Sequence, residues 1–319
     1  LQGIGDNHSQ YLADRAIGNR ILTNMGGRLA PAVLVLSAVL LAGCGSVVDP
    51  NEPSGFIQVK GSDTMVNAVQ KVSEEFMKEY PFVFVAVTGG GSGVGIASLI
   101  NRSCDVAAAS REMSAREIEM ARKRQVEPVE HLVAFDGVAV IVNKANPIDR
   151  LTIQQLHDIF TGKLTNWRQL GGKDLPIVTL SREVSSGTHM YFKELVIHMG
   201  RKDSNEEFSA RTLLLSSSQA IVEEVAGNEA AIGYLGMGYT SDRTKAVMLG
   251  GDGGFYPPTP EHVMAKRYPL ARGLYFYTNG QPQGLVRLFL DFTFSPKGQQ
   301  QFIETGFVPL GASIAQGSN

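Results

Sequence analysis

The feature that most constrains this chain is a rhythm that starts at Phe56, where short apolar runs alternate with segments whose apolar residues recur at helical spacing. "FIQV" precedes a loop, and Met65, Val69, Val72 and Phe76 then share one helical face. "FVFVAV" leads into the glycine loop "GGGSG", after which Ile96, Leu99 and Ile100 mark a second helix. "DVAAA" is followed by Ser114-Ala115-Arg116-Glu117, a start in which serine and glutamate satisfy each other's backbone amides. "GVAVIVN" leads to a similar start, Thr152-Ile153-Gln154-Gln155. The pattern returns through "PIVTLS", helices over 187–198 and 217–226, "AIGYL", "KAVML" and "LYFYT". Strand alternating with helix predicts an α/β architecture with largely parallel sheets, and 319 residues are enough for two lobes.

The segment ahead of this body is of another kind. After Met25 come Arg28, the apolar run "LAPAVLVLSAVLL" and then Leu41-Ala42-Gly43-Cys44. The run is too short for a folded transmembrane helix, and small residues before a cysteine suit a cleavage site. Residues 1–44 therefore resemble a bacterial lipoprotein signal with an upstream extension, Cys44 being the lipid-bearing residue. Residues 45–55 read as a polar tether. The whole chain carries a formal charge of -2 and the part after residue 43 carries -3, so bulk charge does not point to nucleic acid. With Cys44 lipidated only Cys104 remains, which excludes an intrachain disulfide and suggests a buried core thiol.

Four stretches share one design, in which a strand ends, small hydroxyl or glycine residues follow and a helix begins. They are Gly61-Ser62-Asp63-Thr64, Gly91-Ser92-Gly93, Ser110-Arg111 and Ser186-Gly187-Thr188. Ligands of open α/β sheets lie beyond the carboxyl ends of the strands, which places all four in one cleft. Helix starts carry unpartnered N–H groups and a positive dipole end, glycine lets the backbone come close, and hydroxyls can donate. Such a set fits a small oxyanion without a metal or other cofactor. Arg111 and Arg182 stand beside two of the stretches, and a guanidinium fork matches paired anion oxygens. The glycine loop matches neither the dinucleotide pattern nor the phosphate-binding loop of nucleotide hydrolases.

In their order and spacing "GSDTM", "GGGSG", "ASREM", "FDGVAVIVN", "IFTGKLTNW", "SREVSSGTH", "AIGYLGMGY" and "GFVPL" resemble the periplasmic phosphate-binding proteins of high-affinity phosphate ABC importers, over about residues 56 to 311. The resemblance implies the two-lobed periplasmic-binding-protein fold (type II), with hinge strands joining lobes that close over phosphate. It implies one lobe over 56–139 with 275–319 and the other over 140–274. By motif match the ligand set falls on Ser62, Asp63, Thr64, Ser92, Ser110 and Arg111 of the first lobe, and on Arg182, Ser186, Gly187 and Thr188 of the second. Some members have aspartate where this chain has Arg111, which raises the question of which carboxylate serves here.

A carboxylate matters because phosphate keeps a proton near neutral pH and sulfate does not, and an ionised carboxylate can only accept. Asp136 in "FDGVAV" is the first candidate for that acceptor and Asp63 the second. The expected partners are inorganic phosphate, the permease of an ABC transporter and, through Cys44, a membrane of the cell envelope; a monomer is expected. Molybdate, tungstate or sulfate are the alternative ligands. A phosphate-ester hydrolase is the alternative activity, and His189 would be its base, although Ser186 and Thr188 lie in no nucleophile motif.

Overall fold

The computed structural model describes residues 52–251 and 253–311. The lipoprotein signal, Cys44 and most of the proposed tether lie outside the described residues. The chain runs β1 (Gly55–Gly61), α1 (Val66–Glu79), β2 (Val83–Thr88), α2 (Ser92–Ile100), β3 (Val106–Ala109), α3 (Ala115–Lys123) and β4 (Pro128–Val142). It continues through β5 (Arg150–Leu151), α4 (Ile153–Phe160), β6 (Val178–Arg182), α5 (Gly187–Phe192), β7 (Leu213–Leu215), α6 (Ser218–Gly227) and β8 (Ala231–Gly236). It closes with β9 (Lys245–Ala246), β10 (Met248–Gly251), β11 (Gly254–Tyr256), α7 (Pro260–Met264), β12 (Ala271–Asn279), α8 (Gly284–Phe294), α9 (Pro296–Glu304) and β13 (Val308–Pro309).

The expected α/β character is present, with one difference in strand direction. The main sheet has the order β2-β1-β3-β12-β4-β8-β6-β7. Within each half the neighbours are parallel, β1 with β2 and β3 on one side, β6 with β7 and β8 on the other. The two middle strands are antiparallel to their neighbours, β12 to β3 and β4, and β4 to β8. The sheet is therefore mixed: β4, which pairs in both halves, runs against β12 and β8 alike.

Each half is a sheet covered on both faces. Residues of β3 alternate, Val106 and Ala108 packing with Val69, Phe76 and Phe289, while Ala107 and Ala109 pack with Ile96, Leu99 and Tyr277. Along β4, Val138, Val140 and Val142 face Leu156, Phe160 and Phe192, and Ala139 and Ile141 face Ile221 and Val225. That period of two in a strand buried on both sides explains why "GVAVIVN" is a continuous apolar run. The 15-residue β4 pairs with β12 up to Gly137 and with β8 from Val138 onward, so it leaves one half and enters the other beside Asp136. The architecture is the two-lobed form expected from the sequence.

The helix starts at Ser114 and Thr152 form as their sequences predict, each with side-chain and backbone bonds exchanged in both directions. Helix 187–198 is shorter in its α form; after Phe192 it widens into a π-helical stretch over Lys193–Ile197. Cys104 is half-buried against the core of the first half, and burial pushes its thiol up to about 12. None of the helices among the described residues is long and apolar enough to cross a membrane.

Candidate functional site

The loops that end β1, β2, β3 and β6 meet where the halves face each other. Gly91 caps α2 with φ 100°, and a Cβ there would stand 2.6 Å from the Ser185 carbonyl oxygen, so only glycine fits. The approach is sealed by one main-chain and one side-chain bond: the Gly93 amide donates to the Ser185 carbonyl at 2.9 Å, and Ser185 Oγ donates to the Gly90 carbonyl at 3.2 Å. Gly187 comes equally close to the other half. A Cβ on it would lie 2.3 Å from Ser92 Oγ and 2.6 Å from Ser110 Oγ.

Several predicted residues converge here. Ser92, Ser110, Ser186 and Thr188 are buried, as are Ser62 and Thr64. Ser92 Oγ lies 3.3 Å from Ser110 Oγ and accepts the Ser110 amide at 3.0 Å. Thr64 Oγ1 meets Thr188 Oγ1 at 2.8 Å across the halves. Ser186 caps α5, its Oγ accepting the Thr188 and His189 amides at 3.2 and 3.4 Å. Ser62 Oγ is buried without a hydrogen-bond partner among the described residues.

The charged residues are arranged differently from the sequence expectation. Arg182 is buried and its donors go to Ser218 Oγ (2.7 Å), the Ser216 carbonyl (2.9 Å) and the Leu215 carbonyl (3.3 Å). It also forms an ion pair of 3.1 Å with Asp63, from the other half. Asp63 Oδ2 accepts the Ser218 amide as well, at 3.0 Å. Asp63 thus serves as the charge partner of Arg182. Arg111 departs further: Nη1 and Nη2 grip both oxygens of Glu117 at 2.8 and 2.7 Å, and Nη1 also reaches the Glu112 carbonyl. The helix after Ser110 starts late, at Ala115, so Arg111 lies in the intervening loop within reach of α3. Partial burial pushes the Glu117 carboxyl up, but Arg111 and Ser114 outweigh this and hold it below its usual range.

Asp136 is wholly buried, and its oxygens are already engaged. Oδ2 accepts Arg272 Nε at 3.0 Å and Nη2 at 2.7 Å, while Oδ1 accepts the Met237 amide at 3.0 Å. Burial pushes this carboxyl up, against the pull of Arg272 and the amides. Asp136, expected from the sequence as the acceptor of the ligand's proton, is here the partner of Arg272 and of the Met237 amide.

Arg272 is the residue that sequence reading missed. It is on β12 directly opposite Asp136 on β4, and its Nη2 also donates to Thr188 Oγ1 at 3.0 Å. The signal was a lone arginine in the apolar strand "ARGLYFYT" matched by a lone aspartate in "FDGVAVIVN", two opposite charges in two strands bound for the interior. His189 is on α5 itself, its Nδ1 3.0 Å from Ser181 Oγ and its ring 4.9 Å from that of Phe208; burial lowers its pKa.

Two lobes with hydroxyls and amides facing across a central hinge define a binding protein of the periplasmic type. A PBP superfamily domain matches residues 46–297. A Pseudomonas aeruginosa phosphate-binding protein PstS is 30% identical over 90% of this chain and 96% of its own length. The Bacillus subtilis PstS is 31% identical over 81% of each chain. Among solved structures, a Clostridium perfringens protein described as a phosphate ABC transporter substrate-binding protein, with bound phosphate, superposes with a TM-score of 0.73 at 32% identity. It is matched over 80% of this chain and 100% of its own. The chain belongs to the PBP superfamily and, within it, to the family of the PstS phosphate-binding proteins.

Proposed function

We propose that this chain binds inorganic phosphate outside the cytoplasm and delivers it to the permease of an ABC importer, its lobes closing over the anion. The observation that carries the reading is the meeting of hydroxyls from opposite halves: Gly187 against Ser92 and Ser110, and Thr64 against Thr188 at 2.8 Å. Ser62, Ser92, Ser110, Ser186, Gly187 and Thr188 with Thr64 form the ligand set, while Asp63 and Arg182 form a charged clasp between halves. Arg111 stabilises the loop that carries Ser110. A division into lobes close to 56–139 with 275–319 and 140–274 is supported by the separate cores on the two sides of Asp136, with Val138 and Ala139 already in the second core and Leu274 in the first. Lipid attachment at Cys44 would keep a monomeric receptor beside its transporter, and the multiple chains of lipoproteins suit stable anchoring.

The ligand leaves unchanged. His189, the candidate base of a hydrolase, is bonded to Ser181, and Ser186 Oγ accepts two amides, which suits a cap better than a nucleophile. Calorimetric titration of the purified chain, first stripped of endogenous anion, tests the reading with phosphate, sulfate and molybdate. Phosphate should bind with a dissociation constant of about 1 μM or tighter, roughly 8 kcal/mol. Arg182→Ala should weaken it at least about tenfold by opening the clasp. Tighter binding of sulfate or molybdate than of phosphate would overturn the assignment.

A further inference from the structure

We propose that Arg272 is a positioning residue of the anion site, fixing the Thr188 hydroxyl as a hydrogen-bond donor while Asp136 holds the guanidinium in place. The inference rests on the phosphate reading above. A guanidinium has N–H groups and no acceptor, so Arg272 Nη2, 3.0 Å from Thr188 Oγ1, must donate to it. The Thr188 proton is then left to give, to Thr64 Oγ1 at 2.8 Å or to an anion oxygen between the halves.

The same logic holds at two neighbours. Ser92 Oγ accepts the Ser110 amide, and Ser186 Oγ accepts the amides of Thr188 and His189. Each of the three oxygens receives a donor from the protein and each keeps its own proton to donate. An anion rich in acceptors suits such a set. Only at Thr188 is the donor a charged side chain, and a charged donor makes a stronger bond and a more acidic hydroxyl.

The clamp holds Arg272 through Nε and Nη2, while Nη1 is buried with no hydrogen-bond partner among the described residues. Nε and Nη2 both reach Asp136 Oδ2, the Met237 amide secures Oδ1, and the Tyr191 ring centre lies 5.5 Å from the guanidinium carbon. Tyr191 is itself tied to the Ala271 carbonyl at 2.6 Å. Side-chain exposure of the pair is 2% for Arg272 and 0% for Asp136. Buried ion pairs of this kind are seldom better for stability than apolar residues of the same volume. A pair kept at the crossing of the halves, with one donor aimed at a site hydroxyl, fits a task of orientation.

The test is a cycle of phosphate titrations on the unaltered chain, Thr188→Val, the pair replacement Arg272→Met with Asp136→Asn, and the three changes together. Thermal unfolding of each confirms a folded chain. Thr188→Val and the pair replacement should each weaken phosphate about tenfold or more, and the triple variant no further than Thr188→Val alone. Arg272→Lys, which keeps the charge beside Asp136, covers the case in which the pair replacement does not fold. A single ammonium cannot reproduce the fork and the Thr188 bond together, so it should also weaken binding severalfold. Additive losses, or unchanged binding in the pair replacement or in Arg272→Lys, would overturn the inference. Failure of the unaltered chain to bind phosphate would instead refute the functional reading beneath it.

Discussion

Arg111 and Arg272 each grip a carboxylate with two nitrogens, yet their surroundings give the two pairs different work. Arg111 holds Glu117 six residues along the same loop and helix, with side-chain exposures of 14% and 18%. Arg272 holds Asp136 across 136 residues of chain in the strands that join the halves, with almost no exposure. The first pair is local and partly hydrated, so it secures a loop. The second is remote in sequence and dry, so losing either member strands a charge. Geometry of the pair alone does not reveal its role; sequence separation and hydration do.

The largest expected effect breaks the buried pair alone. Asp136→Ala should lower unfolding stability by about 3–5 kcal/mol by leaving Arg272 uncompensated, whereas Glu117→Ala should cost about 1 kcal/mol; urea unfolding measures both. Equal losses would erase the distinction between the pairs. Next is Gly187→Ala, whose methyl must displace Ser92 and Ser110 on the side of the site that Arg111 flanks. Phosphate affinity should fall by about 1–3 kcal/mol, roughly ten- to a hundredfold, with the fold retained. Arg111→Ala, measured by the same titration, should change affinity less than about threefold, because its guanidinium is already engaged by Glu117.

The smallest effect is in pH. Burial depresses the His189 pKa in the folded chain, so below the unfolded value of about 6.5 the unfolded state takes up the proton first. Stability should therefore decline as pH falls from 7 to 5, by at most about 1.4 kcal/mol per unit for this one group. His189→Gln should flatten that slope in melting curves, leaving a remainder from the partly buried His131, whose pKa burial also lowers.

What the sequence made legible was local. The caps at Ser114 and Thr152, the alternation along β3 and β4 and the hydroxyl turns all follow from residues a few positions apart. Antiparallel pairing of β4 with β12 depends on partners far apart in the chain, and no nearby residue announces it. For the same reason the partner of Asp136 was not fixed by the sequence: the lone charges of the two apolar strands hinted at a pair, and the register placed Arg272 opposite. For Arg111, closeness to Ser110 was legible while the reach of Glu117 from the next helix was not.

The contact between Gly93 and Ser185 joins the halves through the backbone. It is formed by an amide and a carbonyl, so a change of the Ser185 side chain leaves both groups in place, whereas a Cβ at Gly91 would meet the same carbonyl at 2.6 Å. Part of the hold between the halves thus belongs to the polypeptide itself, and any separation at this point has to break that bond whatever the cleft contains.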